Sequence, residues 1–413
     1  MRYLFGFMCV CVLGGLPVAG CSSNHTFECG DLSPKLTADG REVIYRRAIC
    51  EPIGDCWLDC PSRTVDSHLL VYDVGTRAMS QLSPWVSAFD VSGDGQVVVY
   101  YGRDWPSTLL GIYDRSSGDR ASVDISEFGF LWGSAPPRIS GDGQIVAFTV
   151  AVDGDPSDPA IYVYDRLAKQ IERSATEPGA FSPSLSNDGR FLAYATSPSI
   201  SEPPDAIYVL DRANGQTTLV SVNSDGETAD GPSFEPWISG DARFVVFRSS
   251  ATNLSTPPPN PTVGAWIAEV YRHDRETEMT SLISRDADSG DPSGTSTGGP
   301  IEGEGLITTK RPVSTDGRFV VYDSNADNIV PLEGEASVTS VYRYDAETDR
   351  NTRVSVNSLG DGANRSSAYP SISDDGRFIA FSTNATNLDP DDQDSVDVYL
   401  HDVDSGETTW VSR

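Results

Sequence analysis

The stretch "YPSISDDGRFIAFSTNATNL" (Tyr369–Leu388) has sister copies in "FSPSLSNDGRFLAYATS" (Phe181–Ser197) and "FEPWISGDARFVVFRSS" (Phe234–Ser250). A short phrase that recurs at long intervals constrains a fold more than any single motif does. Aligned on one aspartate, the phrase occurs seven times, at Asp39, Asp94, Asp142, Asp188, Asp241, Asp316 and Asp375. An Asp-Gly step between apolar runs reads as a hairpin turn, because glycine accepts positive φ at little steric cost. Only Asp241 lacks its glycine, being followed by Ala242, so that turn is expected to be looser or differently built. A second phrase follows each first one and ends at Asp73, Asp114, Asp165, Asp211, Asp274, Asp345 or Asp402, as in "IYVYD" and "VYLHD". It reads as a Tyr- and Val-rich strand, then a polar turn, then a last strand.

Each unit is therefore strand–turn–strand–loop–strand–turn–strand, with turn aspartates spaced 55, 48, 46, 53, 75 and 59 residues apart. Four antiparallel strands in a repeat of that size make a propeller blade. The expected fold is all-β, a seven-bladed β-propeller over residues 32–413. Runs such as "FVVF" (Phe244–Phe247), "FVVY" (Phe319–Tyr322) and "VVVY" (Val97–Tyr100) fit strands buried on both faces. Pro34, Pro137, Pro183, Pro236 and Pro370 open the strand before the turn, as suits an innermost edge strand. Phe89 and Arg311 replace that proline in blades 2 and 6. The ring is expected to close blade against blade, with no strand exchanged between the chain ends.

The two phrases together resemble the PD40-type, WD40-like repeat of TolB-like propellers, whose "P-x-W/I-S-P-D-G" core precedes an "I-Y-V-x-D" strand. The resemblance covers Asp31 to Arg413 and implies the fold. TolB itself has six blades behind a separate α/β domain, so its partnerships are not implied here.

The chain begins "MRYLFGFMCVCVLGGLPVAGCSSN". Its apolar run from Tyr3 to Leu16 is shorter than the roughly 20 residues of a membrane-spanning helix. Val18-Ala19-Gly20-Cys21 resembles the lipobox of bacterial lipoproteins. The resemblance implies a signal peptide over residues 1–20, lipidation of Cys21, a tether over residues 21–31, and attachment to a membrane outside the cytoplasm. That means the outer membrane and periplasm, or the cell surface. Four further cysteines, Cys29, Cys50, Cys56 and Cys60, form an even cluster in an exported chain and are disulfide candidates with three possible connectivities. They are expected to staple a loop spanning Arg46–Ser67. With 30 basic and 60 acidic residues the formal net charge is −30, which repels nucleic acid and leaves divalent cations or a basic partner permissible.

Strand alternation sends both short turns of every blade to one face and all the long loops to the other. Loops on a rigid scaffold are where binding usually resides, so the long-loop face is the expected working face. Candidate contact residues are Trp237 and Arg138 on inner strands, with Trp132 and Trp266 in long loops. Asp389, Asp391, Asp394 and Asp397 in "DPDDQDSVD" supply oxygens that calcium would accept, although the spacing departs from an EF-hand. No other cofactor is expected. There is no G-x-S-x-G elbow, and His273 and His401 fall where sister blades carry tyrosine, which makes them structural. The expected function is a monomeric, lipid-anchored binding or scaffolding module for an envelope protein, without catalysis. The alternative is a propeller that binds or hydrolyses glycans in the manner of sialidases.

Overall fold

The computed structural model describes residues 27–28, 33–52, 62–84, 86, 88–102, 108–131, 136–152, 159–175, 177–196, 206–255, 268–285, 311–326, 329–330, 338–392 and 396–413. They form seven antiparallel sheets in chain order, a seven-bladed propeller with no α-helix among the described residues. Blade 7 shows the plan: inner strand Ser367–Ile372, second strand Phe378–Thr383, third strand Asp397–Asp402 and outer strand Thr408–Trp410. In blade 6 the described part of the inner strand makes one bridge, Val313 to Val320, and the sheet has three strands among the described residues.

The turn phrase is built alike in all seven blades. The hydroxyl two residues before the aspartate donates to its Oδ1, as Ser373 does to Asp375 at 2.6 Å and Thr37 to Asp39 at 2.8 Å. The same hydroxyl accepts the N–H that opens the second strand (Phe378 N at 3.0 Å), while the aspartate accepts the N–H two residues on (Arg377 N at 3.0 Å). Ala242 is no exception: it keeps φ at 65°, with Ser239 and Asp241 hydrogen-bonded as in the other blades. The expectation of a looser turn there is corrected. The side-chain bonds over-determine the backbone, so one methyl in the left-handed region does not change it.

Period-2 alternation organises the core. In blade 2, Val97, Val99 and Tyr101 pack toward blade 3, while Val98 packs toward blade 1. The buried apolar side chains fall into seven clusters among the described residues, one at each blade–blade interface. Second and third strands also present aromatic rings directly opposite each other. Phe148/Tyr162, Tyr194/Tyr208, Phe247/Tyr271, Tyr322/Tyr342 and Phe381/Tyr399 stack with centroids 5.8–6.4 Å apart. Blade 2 has Tyr100 opposite Gly111, where a Cβ would lie 2.5 Å from the tyrosine ring.

The seventh interface closes the ring without strand exchange, as expected. Leu36, Tyr45 and Leu70 of blade 1 pack with Ala380, Val398 and Val411 of blade 7, and Asp374 N donates to Ala38 O at 2.8 Å. One expectation about blade 1 is corrected. The described parts of the cysteine-bearing segment from Arg46 to Ser67 are paired strand, with Glu42–Pro52 and Ser62–Asp73 pairing out to Pro52 and Ser62 across a register shift between Ile49 and Cys50. The ladder therefore extends through Cys50 in place of a loop. Cys21, Cys29, Cys56 and Cys60 lie outside the described residues.

The turn face is tied together by ion pairs. In blades 4 to 7 the arginine after the turn forks onto the aspartate that ends the third strand: Arg190–Asp211, Arg243–Asp274, Arg318–Asp345 and Arg377–Asp402, at 2.7–3.0 Å. Their hydrogen bonds hold Asp211 and Asp402 down at about 2, and Asp274 lower still. Such depressed carboxylates stabilise the fold above their unfolded value near 4, and that stability is lost as pH falls through their folded value. Arg190→Gln combined with Arg377→Gln should therefore lower the melting temperature at pH 6. The deficit against wild type should shrink between pH 4 and pH 2, as followed by circular dichroism melts. The turn glycines make a second test. A Cβ at Gly376 (φ 71°) would lie 2.2 Å from Phe319 of blade 6, whereas one at Gly215 (φ 73°) meets nothing within 4 Å. Gly376→Ala should cost about 2–4 kcal/mol from left-handed strain plus overpacking. Gly215→Ala should cost about 1 kcal/mol from strain alone. Urea unfolding of both variants separates the two contributions.

Candidate functional site at the central channel

The inner strands converge on a central channel. At the turn face, backbone hydrogen bonds link the blades in series: Ala38 N to Gly93 O (2.8 Å), Gly93 N to Gly141 O (2.8 Å), Asp142 N to Asn187 O (2.9 Å), Asn187 N to Gly240 O (2.9 Å) and Asp241 N to Thr315 O (2.9 Å). Asp374 N to Ala38 O joins blade 7 to blade 1, and Ile372 N to Arg311 O at 3.2 Å joins blade 6 to blade 7. Mostly small residues just before the turn aspartates allow this close approach, for a Cβ on Gly93 would lie 3.0 Å from Gly141 O.

Four residues before each turn aspartate the repeat stops repeating. That column reads Lys35, Asp90, Arg138, Ser184, Trp237, Pro312 and Ser371. Its hydrogen-bond acceptors serve the next blade. Asp90 Oδ2 takes Ile139 N at 3.1 Å, Ser184 Oγ takes Ile238 N at 3.1 Å and Ser371 Oγ takes Leu36 N at 3.0 Å. Lys35 is buried in an ion pair with Asp90, and Arg311 Nη2 reaches Asp374 Oδ1 at 3.2 Å. Arg138, Trp237, Lys35, Asp90 and Arg311 all line one cavity of ≈ 60 Å³. The guanidinium of Arg138, from blade 3, lies over the Trp237 ring of blade 5 at 4.2 Å. The fold thus brings two of the sequence-predicted contact residues together, from positions 99 residues apart in the chain.

Toward the long-loop end of the same channel lies a second cavity of ≈ 40 Å³, bordered by Trp237, Glu235, Arg248 and Asp323. Glu235 precedes Pro236 and has φ 55°, and Ser182 before Pro183 (52°) and Tyr369 before Pro370 (57°) share that conformation. Each coincides with a register shift in the inner strand, so the bulge re-aims the side chain toward the mouth. Glu235 sits 3.6 Å from Arg248, yet burial pushes its carboxyl up to about 7, with Asp323 reinforcing the rise. Burial also raises Asp323 and the Tyr369 phenol. The arrangement holds two reluctant carboxyls, one arginine and one indole at a narrow mouth, suited to gripping a small polar group.

The sequence did not single out Glu235, Arg248, Asp323 or Tyr369. Two signals were present: the residue before each inner-strand proline, and a column that varies inside an otherwise regular repeat. Other candidates are placed differently. Trp132 and Trp266 lie outside the described residues, as does Asp394. Asp397 accepts from Trp410 Nε1 (2.9 Å) and Ser412 Oγ (2.6 Å), Asp391 pairs with Arg413 at 2.7 Å, and Asp389 caps Asp391 N at 2.9 Å. No three metal-ligating side chains converge among the described residues. His273 and His401 are matched structural parts. Each Nδ1 lies 2.9 Å from a threonine, Thr280 or Thr408, whose own hydroxyl donates to a backbone carbonyl. Parts of the long loops are welded down as well, through buried pairs Ala251/Leu254, Ala326/Ile329 and Ala385/Leu388.

The raised Glu235 carboxyl yields a signed prediction. Its folded value lies above its unfolded one, so its contribution to stability declines as pH rises from about 4.5 to about 7. Glu235→Gln should melt like wild type relative to pH 4 references and then gain on it through that window. A difference in melting temperature that stays flat from pH 4 to pH 8 would contradict the raised value.

No family model matches the chain, and no curated protein matches it. Solved structures do. An oligogalacturonate lyase from Vibrio parahaemolyticus is 10% identical, with 90% of this chain and 91% of that one covered and a TM-score of 0.55. The propeller domain of the Trilobed protease from Pyrococcus furiosus is 8% identical, with 92% and 97% covered and a TM-score of 0.55. TolB from Acinetobacter baumannii is 15% identical over 78% of each chain, with a TM-score of 0.42. At these identities the likeness to the lyase and to the protease's propeller domain is one of fold alone: this chain is a β-propeller.

Proposed function

We propose that the protein is a lipid-anchored, extracytoplasmic binding module that engages an envelope protein through its long-loop face. The observation that carries this reading is the division of labour between the two ends of the ring. The turn end is occupied by internal Arg–Asp forks and a closed backbone girdle. The irregular, charged and aromatic side chains Glu235, Arg248, Asp323 and Trp237 gather at the long-loop end. Rigid scaffold at one end and variable chemistry at the other is how loop-presenting folds bind. The 40 Å³ cleft has room for a side-chain-sized polar group.

A glycan-directed reading is favoured by one feature, the neighbouring carboxyls Glu235 and Asp323 beside an indole, since a carboxyl held protonated near neutrality can serve as a general acid. Two experiments separate the readings. Full-length protein crosslinked mildly in its native envelope should capture a stoichiometric partner. A variant lacking residues 256–262 and 288–304 should lose that partner while remaining folded, and Cys21→Ala should move the protein out of the membrane fraction. Turnover of an acidic or neutral oligosaccharide that Glu235→Gln abolishes would replace the scaffold reading with the glycan one.

A further inference from the structure

The ion-pair accounting of the channel leaves one cation over. Lys35 is matched by Asp90 and Arg311 by Asp374, and Asp90 is further engaged by Val91 N (2.7 Å) and Ile139 N (3.1 Å). Arg138 has no carboxylate against it among the described residues. It is only 9% exposed, and its Nη1 is buried without a hydrogen-bond partner. What it touches is the face of Trp237, which attracts the cation but accepts no N–H in the guanidinium plane. Burying a guanidinium without acceptors is costly, and proteins that keep such a group usually present it to an anion. The cavity that Arg138 lines, at ≈ 60 Å³, has room for a few waters or one small oxyanion.

We infer that the channel between blades 3 and 5 is a carboxylate-binding site, in which Arg138 forks onto the two oxygens and the Trp237 ring backs the guanidinium. The planar five-donor fork matches a carboxylate in a bidentate pair. The Trp237 ring against the guanidinium leaves Nη1 without a protein acceptor. Burial lowers Arg138 to about 9, so it remains charged at neutral pH and ready for an anion. The site is chemically distinct from the Glu235 cleft, where carboxyls predominate, and it stands whether or not the scaffold reading does. The carboxylate could end a polypeptide chain or belong to an acidic sugar, and both present the same group to Arg138.

The test uses the full chain at 150 mM salt with acetate as the probe, read by saturation-transfer NMR on the acetate methyl and by thermal melting. Wild type is expected to bind acetate saturably in the millimolar range, with a matching rise in melting temperature. Arg138→Met should weaken binding at least tenfold and abolish the acetate-dependent rise. Its melting temperature without acetate should equal or exceed that of wild type, because it removes an uncompensated buried charge. Trp237→Phe should weaken binding a few-fold. Should Arg138→Met not melt cooperatively, Arg138→Lys keeps the charge without the fork and is expected to bind several-fold more weakly than wild type. N-acetylalanine and glucuronate then identify the source, whichever binds tighter than acetate. No saturation by wild type up to 50 mM acetate, or an equal response in Arg138→Met, would overturn the site. Sulfate outcompeting acetate would overturn its assignment to carboxylates.

Discussion

Burial of the second and third strands on both faces is the constraint on which this ring depends. A sheet that shows apolar side chains in both directions is insoluble alone and stable only between two others. Seven such sheets satisfy one another solely if the last meets the first. The seven interface clusters are the physical form of that requirement, and the one joining blades 7 and 1 has the same make-up as the rest. Among the described residues no strand passes between the chain ends, and the closure rests on side-chain packing, the Leu36–Ser371 and Asp374–Ala38 bonds, the Arg47–Ser412 bond and the Arg77–Glu407 ion pair. The turn glycines belong to the same constraint. Beyond their left-handed φ, they leave space for the first residue of the second strand in the preceding blade, Phe319 under Gly376 and Phe244 under Gly317.

Because the ring is so regular, departures from regularity carry the chemistry. The Ser–Asp turn, the cross-strand aromatic stack and the Arg–Asp fork recur from blade to blade and hold structure. The column that lines the channel recurs in position but not in composition. The residues before the inner-strand prolines depart in backbone conformation, placing Glu235 and Tyr369 at the mouth through a bulge that a regular strand would lack. Strain of this kind, on the order of 1–3 kcal/mol per residue, persists only where the surroundings over-determine it. Here the rigid ring supplies that determination.

Charge adds a contrast between whole and part. The chain carries a net charge of −30, which over the surface favours solubility and disfavours polyanions. At the turn end of the channel the balance reverses locally, with Lys35, Arg138 and Arg311 set against Asp90 and Asp374. A solvent-screened surface field decays over about 8 Å at physiological salt, whereas a buried fork acts at contact. An acidic protein can therefore hold a small anion at one desolvated point.

The blade count and the mostly four-stranded blade plan were legible in the sequence, because each follows from local periodicity and spacing. His273 and His401 could be read as structural because sister blades carry tyrosine at the same position. Blade 1 was read less well: strand pairing continues to Cys50 because a partner lies alongside, which no local pattern announces. Ala242 likewise adopts the glycine conformation under hydrogen bonds that only the folded turn provides. The channel site belongs wholly to tertiary structure. Arg138 and Trp237 could each be named from sequence as candidates, but their stacking at 4.2 Å comes from closing a ring that brings blade 3 opposite blade 5. The cleft of Glu235, Arg248 and Asp323 has the same origin, since desolvation by neighbouring blades, and not residue type, raises the Glu235 and Asp323 carboxyls above their ordinary range. Sequence determined the repeating unit, whose physics is local; the ring alone decided which side chains meet at its axis, because that is a property of all seven units packed at once.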